Sequence, residues 1–268
     1  MAEGARRLAL VTGASAGLGE AFARAYAARG LDVALAARRI DRLEALAVKL
    51  RAEHGVAAFA IQTDLAEYEA HVSVMEAVAA QGRVVDVLVN NAGFGIPQSF
   101  AAVPWPRQRD FLMTMAVNAC GLAYDVLPGM VARGHGAVIN IGSMAAFSPG
   151  VAGNSLYPGV KSLMVKFSQS LDAEYRAAGV KVTVVCPGFV RTEFAQKAGI
   201  AGIIEREPRM FWLSAEAVAE ATIRANHRGR VVVIPGWHNR LAAALLRGLP
   251  EPLVRRAIAA GSAKYHLD

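Results

Sequence analysis

The sequence predicts a doubly wound α/β fold, with seven parallel strands in one sheet and helices on both of its faces. Two observations carry this. Short apolar runs alternate with longer amphipathic stretches along the chain, as repeated βαβ units require. The first apolar run ends in a glycine-rich turn that opens a helical stretch, the arrangement that brings backbone N–H groups onto a phosphate.

In chain order, strands are expected over 8–11, 33–36, 57–61, 85–89, 137–141, 180–185 and 231–234. Helical stretches fall between them, near 18–29, 39–54, 67–80, 107–132, 155–178 and 214–228. Right-handed crossovers then place the helices on alternate faces. No repeat, low-complexity segment or linker divides the chain, so residues 1–268 read as one domain.

Composition narrows the function. A chain of 268 residues with 54% hydrophobic content and a mean hydropathy of +0.31 is long enough for a sizeable core and is not disordered. No run approaches the ~20 uninterrupted apolar residues of a spanning helix, and Arg6-Arg7 leads directly into the first strand without a signal-peptide pattern. A cytoplasmic location is the resulting expectation. Cys120 and Cys186 read as core thiols, and the six histidines show no ligand spacing, so no metal is assigned. The net charge of +7 is spread over helices without aromatic interleaving, which argues for a basic solvated surface over nucleic-acid binding.

The chemistry centres on Tyr157 and Lys161, which share one helix face one turn apart. A tyrosine hydroxyl titrates near ~10 and exchanges protons poorly at neutral pH. A nearby ammonium favours the phenolate and suits the pair to proton exchange with a carbonyl oxygen. Ser143 stands a short loop upstream, after the fifth strand.

Thr12-Gly13-Ala14-Ser15-Ala16-Gly17-Leu18-Gly19, Asn90-Asn91-Ala92-Gly93, Ser143, Tyr157-x-x-x-Lys161 and Pro187-Gly188 together resemble the short-chain dehydrogenase/reductase family. They occur in that family's order, and the resemblance spans about residues 7–235. It implies a Rossmann-type sheet of the shorter subclass and hydride transfer with a nicotinamide cofactor. Pro158 departs from the pattern, but it is tolerated in a first helical turn. Pro149, Gly150 and Gly153 leave the loop before Tyr157 without a defined shape.

The resemblance also implies roles. Tyr157 would be the general acid or base, Ser143 would hydrogen-bond the reacting oxygen, and Lys161 would lower the tyrosine pKa and hold the ribose. Asn118 would tie Lys161 to a water chain; the alternative is a helix-kink residue bonding backbone. Gly13, Ser15, Gly17, Leu18 and Gly19 would surround the pyrophosphate and ribose. Asp64 and Leu65 would clamp the adenine, although Asp64 also suits a helix N-cap. Asn91, Ala92 and Gly93 would pass the ribose, and Pro187, Gly188, Val190 and Thr192 would border the nicotinamide.

The end of the second strand reads Ala36-Ala37-Arg38-Arg39, with no acid until Asp41. Guanidinium groups there would pair the 2′-phosphate of NADP, whereas a carboxylate would favour NAD. NADP(H) is therefore the expected cofactor; the bland alternative is that both arginines merely begin a surface helix.

Residues 193–213 correspond to the family's mobile substrate lid. Its apolar content, Phe194, Ile200 to Ile204 and Met210-Phe211-Trp212, favours a small hydrophobic carbonyl or alcohol. Phe94, Met144 and Phe147 are further expected walls. Across 238–260, Leu241, Leu245, Leu249, Leu253 and Ala257 recur at helical spacing among arginines, read first as core or subunit packing and second as a membrane-surface helix. A homotetramer is expected, with Leu163, Phe167 and Leu171 in the dimer-forming helices. The rivals are a methyltransferase, a non-catalytic NADPH sensor and a lipid-surface anchor. The first would need an acid after the second strand, and the second would be free to lose Ser143, Tyr157 and Lys161.

Overall fold

In the computed structural model, which describes residues 6–150, 153–197, 202 and 208–262 (the last six as backbone only), the apolar runs become a seven-stranded sheet. Its strands are β1 (Leu8–Thr12), β2 (Asp32–Ala37), β3 (Ala58–Gln62), β4 (Val87–Asn90), β5 (Gly136–Ile141), β6 (Val180–Val185) and, after a further pair, β9 (Val232–Val233). The order is β3-β2-β1-β4-β5-β6-β9 with every pairing parallel. Strands covered on both faces are continuously apolar, and all five residues of β1 are buried. The direction of winding reverses at β1, with β2 on one side and β4 on the other, so the carboxyl ends of β1 and β4 open a crevice.

Helices α1 (Gly17–Ala27) and α2 (Ile40–His54) cover one face together with α8 (Ala215–His227). Phe22, Tyr26, Leu43, Leu50 and Ile223 interdigitate there. Helices α3 (Ala70–Ala80), α5 (Asn118–Arg133) and α6 (Tyr157–Tyr175) cover the other with Val74, Leu122, Val126, Met130 and Leu171. A stretch expected as one helix near 107–132 is α4 (Trp105–Leu112), a five-residue π-type turn (Met113–Val117) and α5. By length and composition Trp105–Arg133 could cross a membrane, but half of its apolar window is buried inside the protein. At the opposite edge of the sheet Asp32 accepts from the Ala57 N–H and pairs with Arg83, each at 2.7 Å.

Three features depart from the sequence reading. Two three-residue strands, β7 (Phe189–Arg191) and β8 (Trp212–Ser214), pair in parallel and pin both ends of the expected lid. Between them lies the short helix α7 (Phe194–Lys197); Ile200, Ile203 and Ile204 fall outside the described residues. Core packing of the C-terminal leucines is overturned. Helices α9 (Trp237–Gly248) and α10 (Glu251–Ser262) bury Asn239, Ala243 and Val254, while Leu241, Leu245, Leu249 and Leu253 stay about half exposed. At 3.6 residues per turn the buried set and the leucines occupy opposite sides of α9. Finally, Cys186 is buried but Cys120 only partly so, and the side chain of Ala257 is outside the description.

Candidate active site

The glycine turn between β1 and α1 is closed from behind by Asn91. Its Nδ2 donates to the Thr12 carbonyl at 2.8 Å, and its N–H donates to Thr12 Oγ1 at 2.9 Å. The Ala92 N–H reaches the same hydroxyl at 3.1 Å. A Cβ on Gly13 would stand 2.7 Å from Asn91 Nδ2, and one on Gly19 would stand 2.6 Å from it. Gly17 has φ +59° and would press a Cβ onto the Thr192 side chain at 3.0 Å. Helix α1 begins without a side-chain cap, so its first N–H groups face the crevice as an anion site. Leu18 turns inward against the core. The cradle thus has the shape and charge that a dinucleotide pyrophosphate needs.

Two further loops border the crevice. Gly93 backs onto Met115. The Met144 N–H donates to the Pro187 carbonyl at 3.0 Å, and Gly188 lies against the Asn239 side chain. Val190 lies in β7, partly buried against the core.

The basic edge after β2 divides into two directions. Arg38 is largely exposed and reaches Asp64 at 3.7 Å. Asp64 also accepts from the Ala66 N–H at 3.1 Å, so its carboxylate folds its own loop, with Leu65 buried beneath. Arg39 instead turns over the glycine turn, donating to Ser15 Oγ at 2.9 Å. It also meets Glu193 at 3.3 Å, and Arg42 meets the same carboxylate at 2.8 Å.

The reactive groups converge where β5, β6 and α6 meet. The Ser143 side chain lies beside Tyr157. Ser143 Oγ accepts from the Ala145 N–H at 3.2 Å. Burial raises the Tyr157 pKa, and the neighbouring Ser143 hydroxyl opposes that shift only in part. Lys161 Nζ lies 5.5 Å from the Tyr157 ring centroid and donates to the Ile141 carbonyl at 2.7 Å. Burial lowers its pKa to about 8. The direction at Tyr157 is therefore set by burial, opposite to the lowering expected from lysine.

The Asn118 side chain is bonded to backbone on three sides. Its Nδ2 donates to the Leu65 and Glu67 carbonyls, both at 2.9 Å, and its Oδ1 accepts from the His71 N–H at 3.0 Å. The side chain holds the loop after β3. A side chain that satisfies three backbone groups just after a π-type turn is the helix-kink role.

The family model for short chain dehydrogenases matches residues 7–201. The chain belongs to that family. An uncharacterized oxidoreductase of Myxococcus xanthus is 33% identical over 253 residues, covering 94% of this dehydrogenase and 96% of the relative. An NADP-dependent 3-hydroxy acid dehydrogenase of Salmonella typhi is 38% identical over 70% of this chain and 75% of its own. A solved short-chain dehydrogenase from Sphingobium yanoikuyae, in complex with NADPH, has 31% identity and a TM-score of 0.79, covering 94% of each chain.

The residues expected as substrate walls lie in two places, Phe94 and Phe194 near Tyr157 and Met144 and Phe147 toward Arg247. A small open depression is lined by Ile96, Gln98, Phe111, Asn154, Ser155 and Tyr157, among others. Phe94 meets Phe111 edge-on at 5.6 Å, and Phe194 stands 6.3 Å from Tyr157. Phe147 lies under the Arg247 guanidinium at 4.1 Å, and Met144 is partly buried beside it. The residues between 96 and 111 form no periodic pattern, so nothing in the sequence marked them as lining the depression.

Proposed function

We propose that this short-chain dehydrogenase is an NADP(H)-dependent oxidoreductase that interconverts a carbonyl and an alcohol, with Tyr157 as the proton-exchanging group. The observation that carries the reading is the placement of Tyr157 beside the Ser143 side chain, with Lys161 one turn on anchored to the Ile141 carbonyl at 2.7 Å. The NADPH complex of the Sphingobium protein and the NADP-dependent Salmonella relative support the cofactor. So does the absence of any carboxylate from Ala36 to Ile40, where arginines stand instead.

The bound nicotinamide would supply or accept hydride. The protein's own work is positional and protic. Gly13, Gly17 and Gly19 admit the phosphates, and the α1 N-terminus stabilises their charge. With Ser143 and Tyr157 side by side, both hydroxyls would donate to a carbonyl oxygen bound between them. In reduction the Tyr157 hydroxyl gives its proton to that oxygen; in oxidation the phenolate takes it back. With its pKa raised by burial, the tyrosine stays protonated at neutral pH, which favours the reducing role. Lys161, anchored to β5, keeps the helix face in register.

The depression combines aromatic walls with the amides of Gln98 and Asn154 and the hydroxyl of Ser155. It suits a small hydrophobic carbonyl compound bearing one polar substituent. The test is a panel of ketones, aldehydes and alcohols followed by NADPH absorbance. Turnover of apolar carbonyls with NADPH supports the reading. Tight NADPH binding with no turnover across the panel would instead favour a cofactor sensor.

A further inference from the structure

The carboxylate of Glu193 sits among the cations that the cofactor's 2′-phosphate would need. It reaches Arg39 Nη1 at 3.3 Å, and its two oxygens reach Arg42 Nη1 at 2.8 and 3.2 Å. Arg39 is held to the glycine turn by three contacts with Ser15, at 2.9, 3.2 and 3.3 Å, so its guanidinium stays over the cradle. Glu193 follows Thr192, whose side chain is what a Cβ on Gly17 would strike. The root of the lid therefore rests directly on the phosphate cradle. Immediately after it, the Phe194 ring stands 6.3 Å from Tyr157.

Two guanidinium groups flanking one carboxylate form a site sized for an anion with several acceptor oxygens. A phosphate dianion carries more charge and more acceptors than the carboxylate that now occupies it. Both groups cannot be served fully by the same two guanidiniums.

We propose that Glu193 and Arg42 determine selectivity for the 2′-phosphate: Glu193 stands in for that phosphate between Arg39 and Arg42 and yields the pair when the phosphate arrives. Arg42 is then the second phosphate cation beside Arg39, while Arg38 serves the Asp64 side. Because Glu193 roots the lid, occupation of the phosphate site is communicated to the segment that carries Phe194. A ligand without the phosphate leaves the Glu193 bridge intact. This rests on the NADP(H) reading of the same site.

The test uses isothermal titration with two cofactor fragments, 2′,5′-ADP and 5′-ADP, so that no catalysis is involved. Glu193→Gln removes the competing charge at nearly constant shape. It should tighten 2′,5′-ADP by about three- to fivefold, the scale of a partly exposed ion pair, and leave 5′-ADP unchanged. The gain should shrink as salt is raised. Arg42→Gln should weaken 2′,5′-ADP and leave 5′-ADP unchanged. Thermal melting of each variant checks that it is folded. A parent that prefers 2′,5′-ADP, with both variants unaltered, sinks the placeholder role and leaves the NADP(H) reading standing. Weaker 2′,5′-ADP binding in Glu193→Gln also sinks it, because the carboxylate would then be organising the arginines and not competing for them. A parent that binds the two fragments equally overturns the NADP(H) reading and this inference together.

Discussion

Lys161 donates its ammonium to the Ile141 carbonyl at 2.7 Å, tying helix α6 to the last residue of β5. That bond fixes where Tyr157, one turn earlier, meets Ser143 just beyond the same strand. It also holds a buried ammonium whose charge is opposed by its surroundings, with a pKa lowered to about 8.

The lowered lysine makes a stability prediction with a definite sign. Between about pH 8 and the ordinary lysine value of 10.5 the unfolded chain binds a proton that the folded chain does not. Stability therefore rises with pH through that window and is flat, at its lower level, below it. The full difference is about 3 kcal/mol before the Ile141 bond offsets part of it. Chemical denaturation at pH 7.5 and pH 10 should show the rise in the parent and a smaller one in Lys161→Met. Equal slopes in both proteins would remove Lys161 as the cause.

Tyr157→Phe should abolish turnover nearly completely while leaving NADPH affinity within a few-fold. The glycine cradle and the basic edge bind the cofactor, and neither touches the tyrosine hydroxyl. In the parent, alcohol oxidation should accelerate as pH rises, because it needs the phenolate. Carbonyl reduction should stay level through neutral pH and fall in the alkaline range. Retained turnover in the phenylalanine variant would move the proton-exchanging role elsewhere.

Asn118→Ala should destabilise the fold by roughly 2–4 kcal/mol, since the His71 N–H and two loop carbonyls lose their partner. Turnover per folded molecule should change little. Urea unfolding together with kcat separates the cases: a large loss of kcat at unchanged stability would restore the proton-relay role.

How the chain announced its fold differs between regions. All seven sheet strands were legible because short runs rich in β-branched residues, such as 180–185 with its single exposed Lys181, recur between longer amphipathic stretches. The glycine turn was legible because three glycines stand where Asn91 and Thr192 leave no room for a side chain. The β7–β8 pair was not, since three residues carry no period. Nor was the Arg39–Arg42–Glu193 cluster, whose members are brought together from about 150 positions apart by the fold alone. Asn118 was found by motif, but its bonding depended on the loop after β3, which no motif describes.

An oligomer is expected in solution. Leu163, Val117 and Tyr124 are exposed on α6 and the α5 region, at 43, 49 and 77%, and their apolar surface favours a second copy. Of the three residues expected to pair, Leu171 is instead buried in the core and Phe167 packs partly against it. Light scattering should give a multiple of 28.3 kDa, four copies being the expected number, and Leu163→Arg should lower it. A monomer at micromolar concentration would sink the expectation.

The cofactor preference should respond more to Arg39 than to Arg38. Both stand after β2, but only Arg39 lies on the glycine turn, held by Ser15, whereas Arg38 is directed toward Asp64. A guanidinium paired with the 2′-phosphate is worth roughly 1.5–3 kcal/mol. That is about ten- to a hundredfold in affinity. Arg39→Asp removes the pair and sets a carboxylate against the dianion, while the ribose hydroxyls of NAD can donate to the new acceptor. Preference should therefore swing toward NADH, chiefly through the cofactor KM, because the phosphate lies remote from the reacting carbon. Arg38→Asp should swing it less, since Arg39 and Arg42 keep their positions. The measurement is KM and kcat with both cofactors for the parent and the two variants. A larger swing from Arg38→Asp would place the phosphate on the Asp64 side of the edge, and a parent that prefers NADH would remove the phosphate from the argument altogether.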